Sequence, residues 1–236
     1  YIVPDIAYHL DKINRGYDKL IDVLGSDHHG YQARLKAAID ALGYDKDKLE
    51  IKLLQMVKLI KDGQEIKMSK RTGETITISE LIEEVGINAA RYFFSSRSLD
   101  TQMNFDITLA TKKSNENPVY YIEYAHARIC SILKNIDNEI EIKNYTTINS
   151  EKAIELIKKV YEFKDLIEIA ATKQIPHIIT NYLYDLATLF HNYYNNEKII
   201  SDDERYTFER ANLIKAVKIT IKNGLNLIGV EALEEM

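Results

Sequence analysis

Four groups of residues in this 236-residue sequence have types and spacings that could do chemistry. In Lys67-Met68-Ser69-Lys70-Arg71-Thr72-Gly73, two lysines three apart sit among small polar residues and a glycine, which predicts a loop able to close over a polyphosphate. Its ammonium groups would neutralise charge growing on the α-phosphate and on departing pyrophosphate during nucleotidyl transfer. A generic Lys-x-x-Lys reads more plainly as a solvated hairpin, but an intact Lys-Met-Ser-Lys is more specific. In Gly25-Ser26-Asp27-His28-His29-Gly30, glycine allows close backbone approach to a ligand, and Asp27, His28 and His29 can hydrogen-bond a ribose, a base or an amine. Two other readings compete: a structural turn, or metal ligation by Asp27, His28 and His29. The metal reading needs further aspartates at motif spacing, and the sequence does not supply them. In Tyr1-x-x-x-Asp5, a phenol and a carboxylate four apart on one helical or turning face could hold a cationic group, although such pairs are commonly surface hydrogen bonds. Finally, Tyr120, Tyr124 and Arg128 fall at i, i+4 and i+8, one stripe of a helix. They offer stacking platforms and a cation to unpaired bases, or else an aromatic stripe packed into a bundle.

The elements around these groups change character along the chain. Seven of the nine glycines fall at or before Gly86, and the next is Gly224. The early part therefore reads as α/β and the later part as long helices. Ile21 to Gly25 predicts a strand, Tyr31 to Leu42 a helix stopped by Gly43, and 49–60 a second strand before an Asp62-Gly63 turn. That order is half of a parallel, doubly wound sheet, whose ligands sit at the carboxyl ends of strands, where Gly25 to Gly30 lies. Pro4 predicts an extended segment over residues 1–4. Ser79 is expected to cap one helix and Asn88 another that carries Arg91 to Phe94, with 101–117 as a connector. Beyond it, helices are expected over 118–135, 150–171, 176–195 and 203–223, with a short terminal piece. Ala153, Leu156, Ile157 and Val160 are expected to form one packed face, and Leu183, Leu186 and Phe190 another. Phe94, Met103 and Phe105 are expected in the core.

Composition narrows the class. The net charge is −5, with 45% hydrophobic and 28% charged residues, which is globular usage. The first 117 residues carry 17 basic and 18 acidic residues and the rest 14 and 18, so neither part is a uniformly basic module. Local patches can still bind nucleic acid. No apolar run approaches the ~18–20 residues of a membrane span. Cys130 is the only cysteine, which excludes an intrachain disulfide and a zinc–cysteine cluster and predicts a reduced, cytoplasmic setting. The absence of an initiator methionine and of a signal peptide predicts a fragment whose upstream part is missing.

Taken together, Asp5-Ile6-Ala7-Tyr8-His9, Gly25 to Tyr31, Lys67 to Gly73, Arg91 to Phe94 and Asn115 to Arg128 resemble, in order, the carboxyl-terminal part of bacterial arginyl-tRNA synthetases, a family of class I aminoacyl-tRNA ligases. The likeness runs to the Gly229–Met236 segment. It implies α/β then all-α architecture: residues 1–78 as the second half of a Rossmann-like catalytic domain, 79–117 as connecting helices, and 118–236 as a helical-bundle anticodon-binding domain. It also implies a two-step reaction, in which L-arginine and ATP, with Mg2+, give arginyl-adenylate and the arginyl group then moves to tRNA(Arg). By position in the family pattern, Tyr1, Asp5 and His28 would line the arginine pocket, with Asp5 pairing with the guanidinium. Lys67, Ser69 and Lys70 would be catalytic. Gly25, Asp27, His29 and Met68 would flank ATP, and Tyr120, Tyr124, Arg128 and Met236 would approach the anticodon. No resident metal, no membrane and a monomeric parent are expected.

Two departures qualify the likeness. Arg71 stands where the lysine signature commonly ends in serine, and no His-x-Gly-His motif is present. That motif belongs to the first half of the catalytic fold, so the chain alone is expected to lack ligase activity. Rival readings are another class I synthetase, a tRNA-binding module without catalysis, and a nucleotidyltransferase acting on a small acid. The cysteinyl enzyme would need a cysteine-rich zinc site that Cys130 alone cannot form, and the long helical half argues against the small-acid enzyme.

Overall fold

A computed structural model of the chain describes residues 2–66, 76–136 and 144–236. The chain divides into two compact units, 1–58 with 99–104, and 59–98 with 105–236.

In the first unit, the amino terminus is a helix, α1 (Ile2–Asn14), and not the extended segment expected from Pro4. Proline is tolerated there because it lies in the first turn, where backbone N–H groups have no intrahelical acceptor to lose. Strand β1 (Leu20–Gly25), a 3-10 turn (Ser26–His28), helix α2 (Tyr31–Ala41) and strand β2 (Leu49–Leu54) follow. The two strands pair in parallel, from Leu20 opposite Leu49 to Gly25 opposite Leu54. This is the expected strand–helix–strand unit. Gly43 follows α2 with φ +82°, the left-handed conformation that ends a helix without a Cβ penalty. Leu20, Leu35, Ile39 and Leu49 form the core, with Ile13, Tyr31, Tyr44 and Ile51 packed around it.

The second unit begins within β3 (Val57–Lys61), so the apolar run over 49–60 holds two strands rather than one. β3 turns through Asp62 and Gly63 into β4 (Gln64–Glu65), pairing Ile60 with Glu65. Both turn residues have positive φ, as an Asp-Gly hairpin requires. The expected connector also carries structure: β5 (Met103–Asp106) flanks β3, and Asp106 caps the short α5 (Ile107–Thr111).

Two expected caps are replaced. Helix α3 (Ile78–Val85) is capped by Thr77 and not Ser79. Thr77 and Glu80 bond reciprocally in a capping box, an arrangement unavailable to Ser79, whose third neighbour is Ile82. Helix α4 (Ile87–Ser95) starts after Gly86, and Asn88 lies inside it with its amide committed elsewhere. Phe105 and Met103 are buried, but Phe94 is 39% exposed, its ring meeting Phe105 from the surface at 5.1 Å.

Four long helices complete the unit: α6 (Pro118–Leu133), α7 (Glu151–Lys173), α8 (His177–Asn196) and α9 (Glu204–Leu227). Asn117, Ser150 and Asp203 cap α6, α7 and α9, each side chain accepting from a first-turn N–H. Ile122, Leu183, Leu186, Phe190, Ile214 and Val217 are fully buried between α6, α8 and α9. On α7, Ala153 and Leu156 are buried, whereas Ile157 is exposed, because three helices already fill the core on its far side. α9 runs through Gly224 rather than ending before it. A Cβ there would lie 2.7 Å from Leu183 Cδ2, so this glycine serves close helix approach. Buried Glu209 on α9 accepts from the N–H groups of Thr146 (2.8 Å) and Thr147 (2.6 Å) and from Arg205 Nε (3.0 Å). Burial opposes its ionisation, but these bonds prevail and hold its carboxyl down to about 2.

Candidate functional site

The first unit holds a cavity of about 640 Å³ lined by Asp5, Tyr8, His9, Lys12, Asp22, His28, Tyr31 and Arg34, among others. Its polar side chains come from four elements. Successive turns of α1 present Asp5, His9 and Lys12, β1 presents Asp22, the 3-10 turn presents His28, and α2 presents Tyr31 and Arg34. Asp22 binds two of them: its Oδ1 accepts from Lys12 Nζ (2.7 Å), and its Oδ2 lies 2.6 Å from His9 Nε2. Burial raises the cost of ionising Asp22, but the bonds from Lys12 and His9 outweigh it and keep its carboxyl below the ordinary value. His9 Nδ1 meets the Asp5 carbonyl at 2.7 Å, so the strand carboxylate and the α1 backbone are joined through one imidazole.

Asp5 itself is half-buried, and its Oδ2 accepts from the Tyr31 hydroxyl at 2.5 Å. That bond, followed by burial, raises the phenol's pKa. With Asp22 already bonded to Lys12 and His9, Asp5 is the carboxylate left to a cationic ligand. Planar guanidinium suits a carboxylate in this position because it can donate two parallel bonds.

His28 reaches the same cavity, its ring 6.2 Å from that of Tyr31 in an edge-on contact. Gly25, Asp27 and His29 lie on the adjoining turn, with Asp27 and His29 exposed and outside the cavity lining. Asp27 Oδ2 and His28 Nε2 are 3.8 Å apart. Among the described residues no group of three or more His, Cys, Asp or Glu is disposed to hold a metal ion. Tyr1 and the Lys67–Met68–Ser69–Lys70 signature lie outside the described residues.

The second unit carries a second candidate site, on α6 and α8. Tyr120 and Tyr124 stack with ring centroids 6.2 Å apart and planes 14° apart. The Arg128 guanidinium lies 4.5 Å from the Tyr124 ring and 4.9 Å from that of Tyr194, and it donates to the Tyr124 hydroxyl. Tyr124, Arg128 and Tyr194 line a surface cavity of about 470 Å³ together with Glu234, Glu235 and Met236, whereas Tyr120 lines a separate one with Asn88 and Glu123. Behind the first, His191 stacks on Tyr124 at 5.8 Å. Burial pushes the His191 pKa down, its bond to the Tyr121 carbonyl opposes this, and the Arg128 cation reinforces it.

The stripe of Tyr120, Tyr124 and Arg128 is half-buried, neither a packed core face nor a free surface. Met236, 103 residues beyond the end of α6, reaches the same cavity as Tyr124 and Arg128. Sequence reasoning missed His9, Lys12, Asp22 and Tyr31 around Asp5. The signal was the four- and three-residue spacing of Asp5, His9 and Lys12, hidden by reading the amino terminus as extended. It also missed Tyr194 and His191, which were legible only as part of a long helix.

Comparison with known proteins accords with both units. Residues 122–236 match the DALR anticodon binding domain. The chain is 52% identical over 240 residues to an arginine–tRNA ligase of Staphylococcus epidermidis, covering all of this chain and 43% of that protein. It is 53% identical to one of Staphylococcus aureus, with the same coverage. A crystal structure described as an arginyl-tRNA synthetase from Campylobacter jejuni superposes with a TM-score of 0.90 at 38% identity, covering 100% of this chain and 52% of that one. The Thermus thermophilus arginyl-tRNA synthetase, at 22% identity and a TM-score of 0.73, shares the fold over 93% of this chain. The chain spans under half the length of the curated relatives it matches. From its first helix to its last residues, the chain is a homologue of arginyl-tRNA synthetases.

Proposed function

We propose that this chain supplies the arginine-recognising wall and the anticodon-binding domain of an ATP-dependent arginine–tRNA ligase. Residues 1–78 then form half of a Rossmann-like catalytic domain, 79–117 connect it, and 118–236 bind the anticodon arm. The observation that carries this reading is the Tyr124–Arg128–Tyr194 cavity within the stretch that matches an anticodon-binding domain. Aromatic rings and a guanidinium on one half-buried surface suit splayed, single-stranded bases better than a duplex. Two carboxylates, Glu234 and Glu235, beside that cavity disfavour a phosphate and favour an uncharged base.

In this reading Asp5 receives the guanidinium of L-arginine, with Tyr31 fixing its free orientation and Tyr1 and His28 completing the pocket. The arginine carboxylate attacks the α-phosphate of ATP, and pyrophosphate leaves. Lys67 and Lys70 neutralise the charge that develops there, Ser69 supports them, and Met68, Gly25, Asp27 and His29 flank the nucleotide. Mg2+ arrives with ATP. The terminal ribose hydroxyl of tRNA(Arg) then attacks the adenylate carbonyl and AMP leaves.

The test is the affinity of this chain for arginine tRNA and for a non-cognate tRNA at one fixed, near-physiological salt concentration. A clear cognate preference is expected. Equal, weak binding of both would count against anticodon recognition by residues 118–236.

A further inference from the structure

Past α9 the chain reverses at Gly229, buries Val230, and follows α6 toward its carboxyl end. Three contacts lie along α6 and at its carboxyl-terminal cap. Glu231 is held beside Glu123, the Leu233 carbonyl accepts from Nδ1 of buried His126 at 2.7 Å, and Glu235 pairs with Lys134. The first contact is made by a residue of another helix. Asn88 Oδ1 accepts from the Glu231 N–H (3.1 Å), and its Nδ2 donates to the Glu231 carbonyl (3.3 Å) and to Glu123 Oε1 (2.7 Å).

An amide that bonds both the N–H and the C=O of one residue fixes where that backbone runs and which way it faces. A single side-chain bond would leave it free to pivot. Asn88 is half-buried and does not line the Tyr124–Arg128–Tyr194 cavity, whereas Glu234, Glu235 and Met236 do. An effect of Asn88 on that cavity passes through the tail or through Glu123 on α6, and exchange at the Glu231 amide against that within α6 separates the two routes.

We propose that Asn88 is a positioning residue for RNA binding, clasping the 229–236 tail onto α6 so that Glu234, Glu235 and Met236 form one wall of the cavity. This rests on the reading of that cavity as an anticodon site. The clasp makes the wall rigid before RNA arrives, so binding does not have to order it.

The test is the affinity of the chain for an unmodified arginine tRNA transcript, measured for Asn88→Ala, Met236→Ala and the double variant. Each single change is expected to weaken binding by about tenfold, and the double variant by no more than the larger single effect, since coupled residues are non-additive. Hydrogen exchange at the Glu231 amide is expected to accelerate in Asn88→Ala while amides within α6 and α8 stay protected. Additive losses, or unchanged affinity with a freed Glu231 amide, would overturn the proposal. Asn88→Asp retains the acceptor for the Glu231 N–H and loses the donor; it enters the same cycle if Asn88→Ala fails to fold. Tyr124→Ala separates the two ideas. If it leaves affinity unchanged, the RNA reading fails; if it weakens binding while Asn88→Ala does not, only the clasp fails.

Discussion

In the proposed reading, Asp5 is the carboxylate that receives a cationic ligand. Asp22 takes the bonds of Lys12 and His9, Tyr31 donates to one oxygen of Asp5, and Asp5 lines the cavity. In the full-length enzyme, Tyr31→Phe is expected to raise the KM for arginine by about three- to tenfold, as losing a bond to a charged group would, with the KM for ATP unchanged. Asp5→Asn should raise it by at least about a hundredfold. Steady-state kinetics with each substrate varied would check both, and an ATP KM that rises in step would sink the positioning role of Tyr31. Glu123 supplies a second prediction. Burial pushes its carboxyl up to about 7, the Asn88 bond opposes this, and Glu231 adds to it. Below the ordinary value of 4.5 the group is protonated folded or unfolded. As pH rises toward 7 only the unfolded chain ionises it, so stability falls across that window and the full cost stands above 7. Glu123→Gln should therefore stabilise the fold at pH 8 by about 1–2 kcal/mol and have little effect at pH 4.5. Denaturant melts at the two pH values decide it, and an equal gain at both would exclude titration as the cause.

At the scale of elements, local rules and tertiary packing contend. Thr77-x-x-Glu80 is a capping box readable from spacing, yet Ser79 and Asn88 are equally good cap residues by type. What separates them is the partner three residues on for the first, and a distant backbone for the second. Gly224 poses the same contest with opposite sign. Alanine there would gain about 1 kcal/mol of helix propensity. Its Cβ would however lie 2.7 Å from Cδ2 and 3.1 Å from Cγ of Leu183, a side chain with no exposed surface into which to retreat. Overpacking of about 1–3 kcal/mol then prevails, so Gly224→Ala should be destabilising by about 1 kcal/mol in thermal melts. A raised Tm would mean that α8 and α9 separate more easily than their packing implies.

At the scale of the whole molecule, the net charge of −5 bears on the proposed binding of RNA. If affinity comes from stacking on Tyr124 and Tyr194 with Arg128 and a few local cations, few counterions are displaced. The slope of log affinity against log salt should then be shallow, about −1 to −2 for two or three phosphate contacts at ~0.7 per contact on single strands. A titration from low to moderate salt would measure it, and a slope several times steeper would assign the binding to a basic surface instead. No helix among the described residues is long and apolar enough to cross a membrane.

The sequence by itself determined the strand–helix–strand order of β1, α2 and β2, the run of long helices after Pro118, and the division between a glycine-punctuated α/β part and a helical part. Breakers, caps and hydrophobic period act within a few residues of themselves, so they can be read locally. It also determined the family, because ordered motifs such as Asp5 to His9 and Gly25 to Tyr31 survive in one dimension. Only the tertiary structure decided that Asp22 would hold Lys12 and His9 beside Asp5, and that Asn88 would fasten a tail 143 residues away. It alone set Tyr194 against Arg128. These contacts join side chains of unremarkable type across long separations, and what selects them is the packing of α1 on α2 and of α6, α8 and α9 on one another.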